Sequence, residues 1–377
     1  MNRPRVPLRK FVKEYSVRNK ANEDIPVYSV TNSQGFCTEY FGKEVASHDK
    51  TTYKIVPRGY FAYNPSRINV GSVDWQRCED RVIVSPLYTV FSVSDEIDCQ
   101  YLYYFLRSDF GKQMIKARAS GSVRDNLKLE MLKEMTIPDI SKEEQHFCAQ
   151  ILDRLQILIQ LRKQELQKLD DLIKARFIEM FGSPESDEKY PQIAIKDFTE
   201  VISGGTPDRK NNEYWENGIV PWVKTTELQN NHINVVEEYI TEKGLNESSA
   251  KVVPKNTVLI AMYGQGKTRG MTAILGIPAS TNQACACILP CEKVKPKYLW
   301  QYMIMSYDRL RNLAQGGNQP NLNGNMIKNF TVLVPPRELQ LQYVQFVEQV
   351  NKSKLLEARQ AGFIAKYRPI NIILSIG

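Results

Sequence analysis

The chain has 377 residues, 42% of them hydrophobic and 24% charged, with a net charge of +8. That is enough for two or three globular domains with sizeable cores, and no apolar run is long enough to cross a bilayer. Seven cysteines without metal-ligand spacing and three scattered histidines supply neither a zinc centre nor a histidine-based triad, while the positive charge leans toward a polyanionic partner.

The N-terminus, from Met1 to Pro7, is positively charged but has no apolar run, so a signal peptide is not expected. Residues 1–20 are strongly basic and read equally as a solvated tail or as an arm that contacts phosphates. From Ile25 the text becomes β-like. Ile25 to Val30 is a strand, the stretch from Ile55 to Pro65 reads as turn, strand, turn, and Arg81 to Val84 and Tyr88 to Phe91 are short strands. The apolar period of Leu102, Phe105, Leu106, Met114 and Ile115 predicts one helix from Tyr101 to Ala119. A small polar loop, Ser120 to Leu127, leads to a short strand ending at Ile137-Pro138.

A long helix follows, from Ser141 to Gly182. Its heptads place Leu152, Ile159, Leu166, Ile173 and Met180 in one series and Cys148, Leu155 and Leu169 in another, broken by Arg162 and Arg176. Ser141 and Glu144 fit a capping box, and Gly182-Ser183-Pro184 is a stop. Asp170 and Lys174 can pair on its exposed face. Such a helix is about 60 Å long at 1.5 Å per residue.

After Pro184 the same order begins again. Pro26-Val27-Tyr28 matches Pro221-Trp222-Val223, and Val56-Pro57-Arg58 matches Val253-Pro254-Lys255. Tyr101-Leu102 matches Tyr298-Leu299, Asn126-Leu127 matches Asn321-Leu322, and Gln145 matches Gln340. The offset stays near-constant across the whole unit, so the chain is a tandem duplication of globe and helix. The second helix carries Tyr343, Phe346 and Val350 at seam spacing, and Lys354 and Glu357 then break it. If the two helices pair antiparallel, a pseudo-two-fold axis relates the globes.

Several loops carry polar groups suited to a polyanion. In the first globe these are Arg58, Asn64 and Arg67, then Ser120, Ser122, Arg124 and Asn126. In the second they are Ser203 and Thr206, then Lys224 and Thr225, then Gln265, Lys267, Thr268 and Arg269, and finally Asn318, Gln319 and Asn321. Asn and Gln amides can read an adenine edge and Arg a guanine edge, although Asn and Gly are also what turns require. Gly264 to Thr268 comes near a phosphate-binding loop, but that pattern needs Gly at Ala261 and a helix after Thr268. Its other readings are a DNA-contacting loop and a plain glycine hairpin. Asn64-Pro65-Ser66-Arg67 is similar to the Asn-Pro-Pro-Tyr signature of amino-methyltransferases, without its second Pro and aromatic residue.

Four blocks together resemble the specificity subunit of Type I restriction–modification systems: Ser203-Gly204-Gly205-Thr206-Pro207; Val220 through Leu228; Gly264 through Ala284; and Gly316 through Leu322. Phe177-Ile178-Glu179-Met180-Phe181-Gly182 is similar to that family's text at the close of the central helix. The likeness covers roughly residues 8–365, and the tail after Pro369 departs from it. It implies an α+β fold: two tandem target-recognition domains with small mixed or antiparallel sheets, separated by long helices pairing as an antiparallel coiled coil. The divisions would be residues 1–140 and 184–336 for the two domains. The central spacer helix and the second helix would take 141–183 and 337–368, with a tail at 369–377. The resemblance further implies a cytoplasmic, non-catalytic reader of double-stranded DNA with no cofactor or metal of its own. Each domain would read one half of a split asymmetric site. Two modification (methyltransferase) subunits would bring S-adenosylmethionine, and restriction/translocase subunits would bring ATP and Mg. The rival readings are a stand-alone P-loop or methyltransferase enzyme acting on nucleic acid, and a scaffold without a DNA role.

Overall fold

A computed structural model of the chain describes residues 4–38, 49–119, 126–183, 189–264, 266–314 and 321–366. The contacts divide it into two units, one of residues 1–164 with 358–377, the other of residues 165–357.

In the first unit the basic N-terminus is neither a solvated tail nor a free arm. Arg5–Pro7 is a strand paired antiparallel with Thr136–Pro138. Leu8, Phe11 and Val12 are buried in the core, while Arg9 and Lys10 pair with Glu134 and Glu96. The apolar side chains decide the placement, because the cations between them can stay in solvent while their neighbours bury. The main sheet is antiparallel, in the order Val12–Glu14, Thr89–Val93, Phe61–Tyr63, Val73–Trp75. A second pair joins Lys54–Pro57 to Arg81–Val84. The strand expected from Ile25 begins only at Ser29, because Pro26 has no amide to donate; Val27 forms a single parallel bridge with Ile83.

The helix expected from Tyr101 to Ala119 is two helices, Cys99–Arg107 and Asp109–Arg118. Ser108 ends the first in an extended conformation, and its hydroxyl accepts from the Gly111 amide at 2.9 Å to cap the second. A short helix, Leu129–Lys133, stands between the stretch expected as a loop, Ser120 to Leu127, and the strand Thr136–Pro138.

The second unit repeats this order. Its five-stranded sheet runs Val201–Ser203, Cys285–Ile288, Val258–Ala261, Thr272–Leu275, Asn231–Ile233, the last pair parallel. Val220–Val223 pairs parallel with Ser280–Thr281, and the bridge of Val253 with Ala279 matches the first unit's pairing of Val56 with Val82. Pro296–Met305, Tyr307–Asn312 and Gly324–Asn329 stand where the first unit has its three helices.

The central helix, Lys142–Phe181, spans 40 residues. Both halves of its capping box form: the Ser141 amide donates to Glu144 at 3.0 Å and the Glu144 amide to Ser141 Oγ at 3.2 Å. Gly182 stops it with φ of +82°. Leu152, Ile159 and Ile173 are buried, and Leu155, Leu166 and Leu169 are half-buried. Within the second unit Phe177 and Phe181 replace the seam series as the main anchors, spaced four residues from Ile173. They sit in an aromatic cluster with Tyr298, Tyr302 and Tyr343. The last helix, Arg337–Lys366, lies antiparallel to this end. Arg176 stacks over Phe346, and further down Asp170 pairs with Lys354 at 2.5 Å. Asp170 therefore answers Lys354 from the other long helix, and Lys354 is no break in the packing. Tyr343, Val347 and Val350 are buried, and Phe346 is half-buried.

Candidate nucleic-acid interface

Each main sheet contains one hairpin whose tip collects polar groups. In the second unit the strands Val258–Ala261 and Thr272–Leu275 pair antiparallel, and the ladder is closed by Gly270 N–H donating to Ala261 O at 2.9 Å. The connecting loop needs glycine: Gly264, Gly266 and Gly270 have φ of +144°, +60° and +85°. A strand, not a helix, follows Thr268, which removes the phosphate-binding-loop geometry from Gly264 to Thr268. Lys267 is exposed, and Thr268 and Arg269 are half-exposed.

The loop is held from below by the helix Tyr307–Asn312. Tyr307 donates its hydroxyl to Lys267 O at 2.8 Å. Arg311 donates to Gly266 O at 3.0 Å, to Arg269 O at 2.9 Å and to the Tyr307 hydroxyl at 3.0 Å. Sequence reading missed Tyr307 and Arg311; the only signal was an aromatic and a cation one turn apart on a helix.

Other expected residues converge on the stem of this hairpin. Leu322 N–H donates to Met262 O at 3.0 Å, which brings the exposed Asn321 beside it. Met262 in turn donates to Ala284 O, and Gly204 to Cys285 O, so Ser203 lies at the same sheet end. Thr206 bonds Gln283. Gly204 and Gly205 press on residues 281–282 and 249–250 so closely that a Cβ on either would collide with backbone. The cluster Ser203 to Pro207 is thus first a packing element.

Lys224 and Thr225 lie apart, at the end of Val220–Val223. Lys224 is spent on Glu237 at 2.7 Å and Glu238 at 2.9 Å, and the hydrogen bond it donates to Glu237 is the main reason its pKa is raised. Arg209 also pairs with Glu238 and stacks 3.7 Å from the centre of the Trp215 ring. Burial would push Glu238 up, yet the bonds from Lys224 and Arg209 hold it below the ordinary carboxylate value. Thr225 opens the short turn Thr225–Glu227 and is half-buried.

In the first unit the equivalent hairpin joins Phe61–Tyr63 to Val73–Trp75. Leu127 N–H donates to Pro65 O at 3.1 Å, the counterpart of Leu322 on Met262, and brings Asn126 to the stem. Asn64 accepts from Ser66 N at 3.1 Å and Ser66 Oγ at 2.9 Å, so its side chain shapes the turn. Arg67 is exposed at the tip and precedes the turn Ile68–Val70, whose Ile68 is buried. Arg58 is at the other end of the strand Phe61–Tyr63, beside Asp80 at 3.5 Å, and does not join this cluster. Ser120, Ser122, Arg124, Gln265, Asn318 and Gln319 lie outside the described residues.

All seven cysteines are free thiols, Cys78 exposed. Burial pushes the Cys287 thiol up to about 11 and Cys285 well above its ordinary value. Among the described residues no group of three or more His, Cys, Asp or Glu could hold a metal ion, and no helix is long and apolar enough to cross a membrane.

The family described as Type I restriction modification DNA specificity domain matches residues 9–171 and, a second time, 188–361. The chain belongs to this family. It is 29% identical over 150 residues to the Type I restriction enzyme EcoR124I/EcoR124II specificity subunit of Escherichia coli, covering 39% of this chain and 37% of that one. It is 34% identical over 152 residues to the MjaIX specificity subunit of Methanocaldococcus jannaschii, covering 39% of this chain and 34% of that one. These alignments span little more than a third of each relative's length. One chain of a solved structure, described as the basis of complex assembly and conformational transition of the type I R-M system, shares the fold. It has a TM-score of 0.64 at 17% identity over 100% of this chain and 98% of its own. Each copy of the specificity domain here holds one main sheet and one hairpin tip.

Proposed function

We propose that this chain is the DNA-reading specificity subunit of a Type I restriction–modification complex. Each unit reads one half of a bipartite asymmetric site on double-stranded DNA. The chain itself performs no catalysis. It directs partner methyltransferase subunits, which carry S-adenosylmethionine, and restriction subunits, which use ATP and Mg, in the cytoplasm. Residues 1–140 and 184–336 are the two readers, and the helices at 141–183 and 337–368 pair along their length and set the gap. The observation that supports this most is the doubling of one specificity domain in a single chain, with the hairpin in the same place each time. A repeated frame with different tip residues suits two half-sites of different sequence.

The test is to map methylated bases in cells that carry this chain with its modification partner. A two-part motif is the expected result. Exchanging residues 184–336 for those of a relative should then change one half of the motif and leave the other. Both halves changing together would sink the two-reader assignment, and tight ATP or S-adenosylmethionine binding by the isolated chain would favour an enzyme instead.

A further inference from the structure

The hairpin tip of the second unit is glycine-rich, yet three of the four carbonyls from Gly266 to Arg269 meet side-chain donors from one helix. Gly266 and Arg269 accept from Arg311, and Lys267 accepts from Tyr307. Among the described residues no peptide bond is cis. In a trans peptide the amide points opposite to its carbonyl. Carbonyls of Gly266 and Lys267 that face the helix therefore turn the Lys267 and Thr268 amides away from it. Neither amide has an acceptor among the described residues, and the Lys267 ammonium is exposed beside them. Two successive outward amides after a left-handed Gly266, joined by a cation, form a concavity that suits an anion.

We propose that Arg311 and Tyr307 are positioning residues that hold this tip as a ready-made seat for a DNA backbone phosphate. The inference rests on the DNA-reading role above and deepens it: Lys267 and the amides of Lys267 and Thr268 fix the register of the second half-site, and bases are read by other groups. The clamp touches protein only. Its contribution is to remove the loop motion that binding would otherwise have to freeze.

The experiment measures binding of the full chain to a random-sequence DNA duplex while potassium chloride is titrated. Lys267→Gln should weaken binding about tenfold and lower the slope of log affinity against log salt by about 0.9, the signature of one lost phosphate. Tyr307→Phe should weaken binding about fivefold at an unchanged slope. Combined, the two should cost less than the product of the separate effects, because an unclamped loop already misplaces Lys267. Arg311→Met, which offers no donor to either carbonyl, should weaken binding at least as much as Tyr307→Phe at an unchanged slope, and thermal melting of Tyr307→Phe should stay near that of the parent chain. Three results would each overturn the proposal: Tyr307→Phe binding like the parent, penalties that multiply, or an unchanged slope in Lys267→Gln. A parent chain that binds no duplex would sink the DNA-reading role itself and this inference with it, and that is read before any variant is made.

Discussion

The two units agree at their roots and differ at their tips. At the start of each long helix a buried glutamine does the same work. Gln145 accepts from the Asp98 amide at 2.8 Å and donates to Ile140 O at 3.1 Å and Glu96 O at 3.3 Å. Gln340 accepts from the Lys295 amide at 2.8 Å and donates to Pro335 O at 2.8 Å and Lys293 O at 3.4 Å. At the hairpin tips the described residues are anchored differently. The first unit anchors its tip from within, through the buried Ile68, while the second leaves its tip glycine-rich and clamps it with Arg311 and Tyr307. The lesson is about constraint. One amide and two carbonyls, part-buried around a buried side chain, are met together by a donor–acceptor side chain of that length, so the root is constrained. A tip in solvent has no such demand, and its sequence is free to follow the ligand.

The largest expected effect separates the two cores. The second unit takes Phe177 and Phe181 from the central helix, and the first takes Cys148, Ala149 and Leu152. Phe177→Ala should cost about 3–5 kcal/mol. Hydrogen exchange should report the loss in residues 189–356 and leave the sheet of Phe61–Tyr63 protected. Equal loss in both units would mean that the two cores unfold as one, and the comparison would fail there. Next come Gln145→Leu and Gln340→Leu. Each leaves one part-buried amide and two carbonyls without their partner, at about 1–3 kcal/mol. Urea unfolding should give closely similar penalties, and a clear inequality would break the equivalence of the roots.

Sequence made the duplication legible because the offset between Gln145 and Gln340 is the offset between Leu127 and Leu322, and each pair occupies equivalent contacts. The capping box and the helix stop were legible as well, since each is a local pattern with a local cause, whereas the glycine hairpin was only one of the readings open for Gly264 to Thr268. Four things were not legible. The basic N-terminus hid a strand, because its cations outnumber Val6, Leu8 and Phe11 in the text but not in the core. Ser108 capped a second helix inside what the apolar period reads as one. Lys354 looked like a break because its partner, Asp170, is 184 residues away. The clamp was invisible for that reason too: Arg311 bonds carbonyls, which no residue type announces. Of the described residues expected to touch DNA, those on each hairpin and its stem cluster within their own unit, whereas Arg58, Lys224 and Thr225 lie apart from them.

A subtler contrast lies where each first helix meets its long helix. In the first unit Asp153 accepts from Gln100 at 2.9 Å and from the Tyr104 hydroxyl at 2.6 Å, and Gln100 accepts from Trp75 Nε1 at 3.0 Å. Burial first, and then the bond to Asp153, push the Tyr104 phenol far up. In the second unit the same two positions are Lys297 and Glu348, an ion pair nearly half exposed on both sides. Asp153→Ala should therefore cost about 1–3 kcal/mol with little salt dependence, since it leaves half-buried donors without their acceptor. Glu348→Ala should cost less than about 1 kcal/mol and should fade toward nothing near 1 M salt. Melting curves at low and high salt decide the matter, and equal salt dependence would remove the contrast.

The smallest effect concerns the tie that only the second unit shows among the described residues, Glu238 held by Lys224 and Arg209. Its carboxyl lies below the ordinary value in the folded chain, despite the opposing effect of burial. A depressed carboxyl stabilises the fold above its unfolded pKa and loses that contribution as pH falls through its folded pKa. The difference in stability between the parent chain and Glu238→Gln should therefore be full at neutral pH. It should shrink on acidification below the ordinary glutamate range, near pH 4, and be gone at lower pH. All three side chains are partly exposed, so the neutral-pH difference should stay below about 1 kcal/mol. Melting both proteins across this range checks it. A difference that persists unchanged into acid would mean that Glu238 contributes by packing, and that the chain Arg209–Glu238–Lys224 is not what fastens the segment after Pro207 to the small sheet.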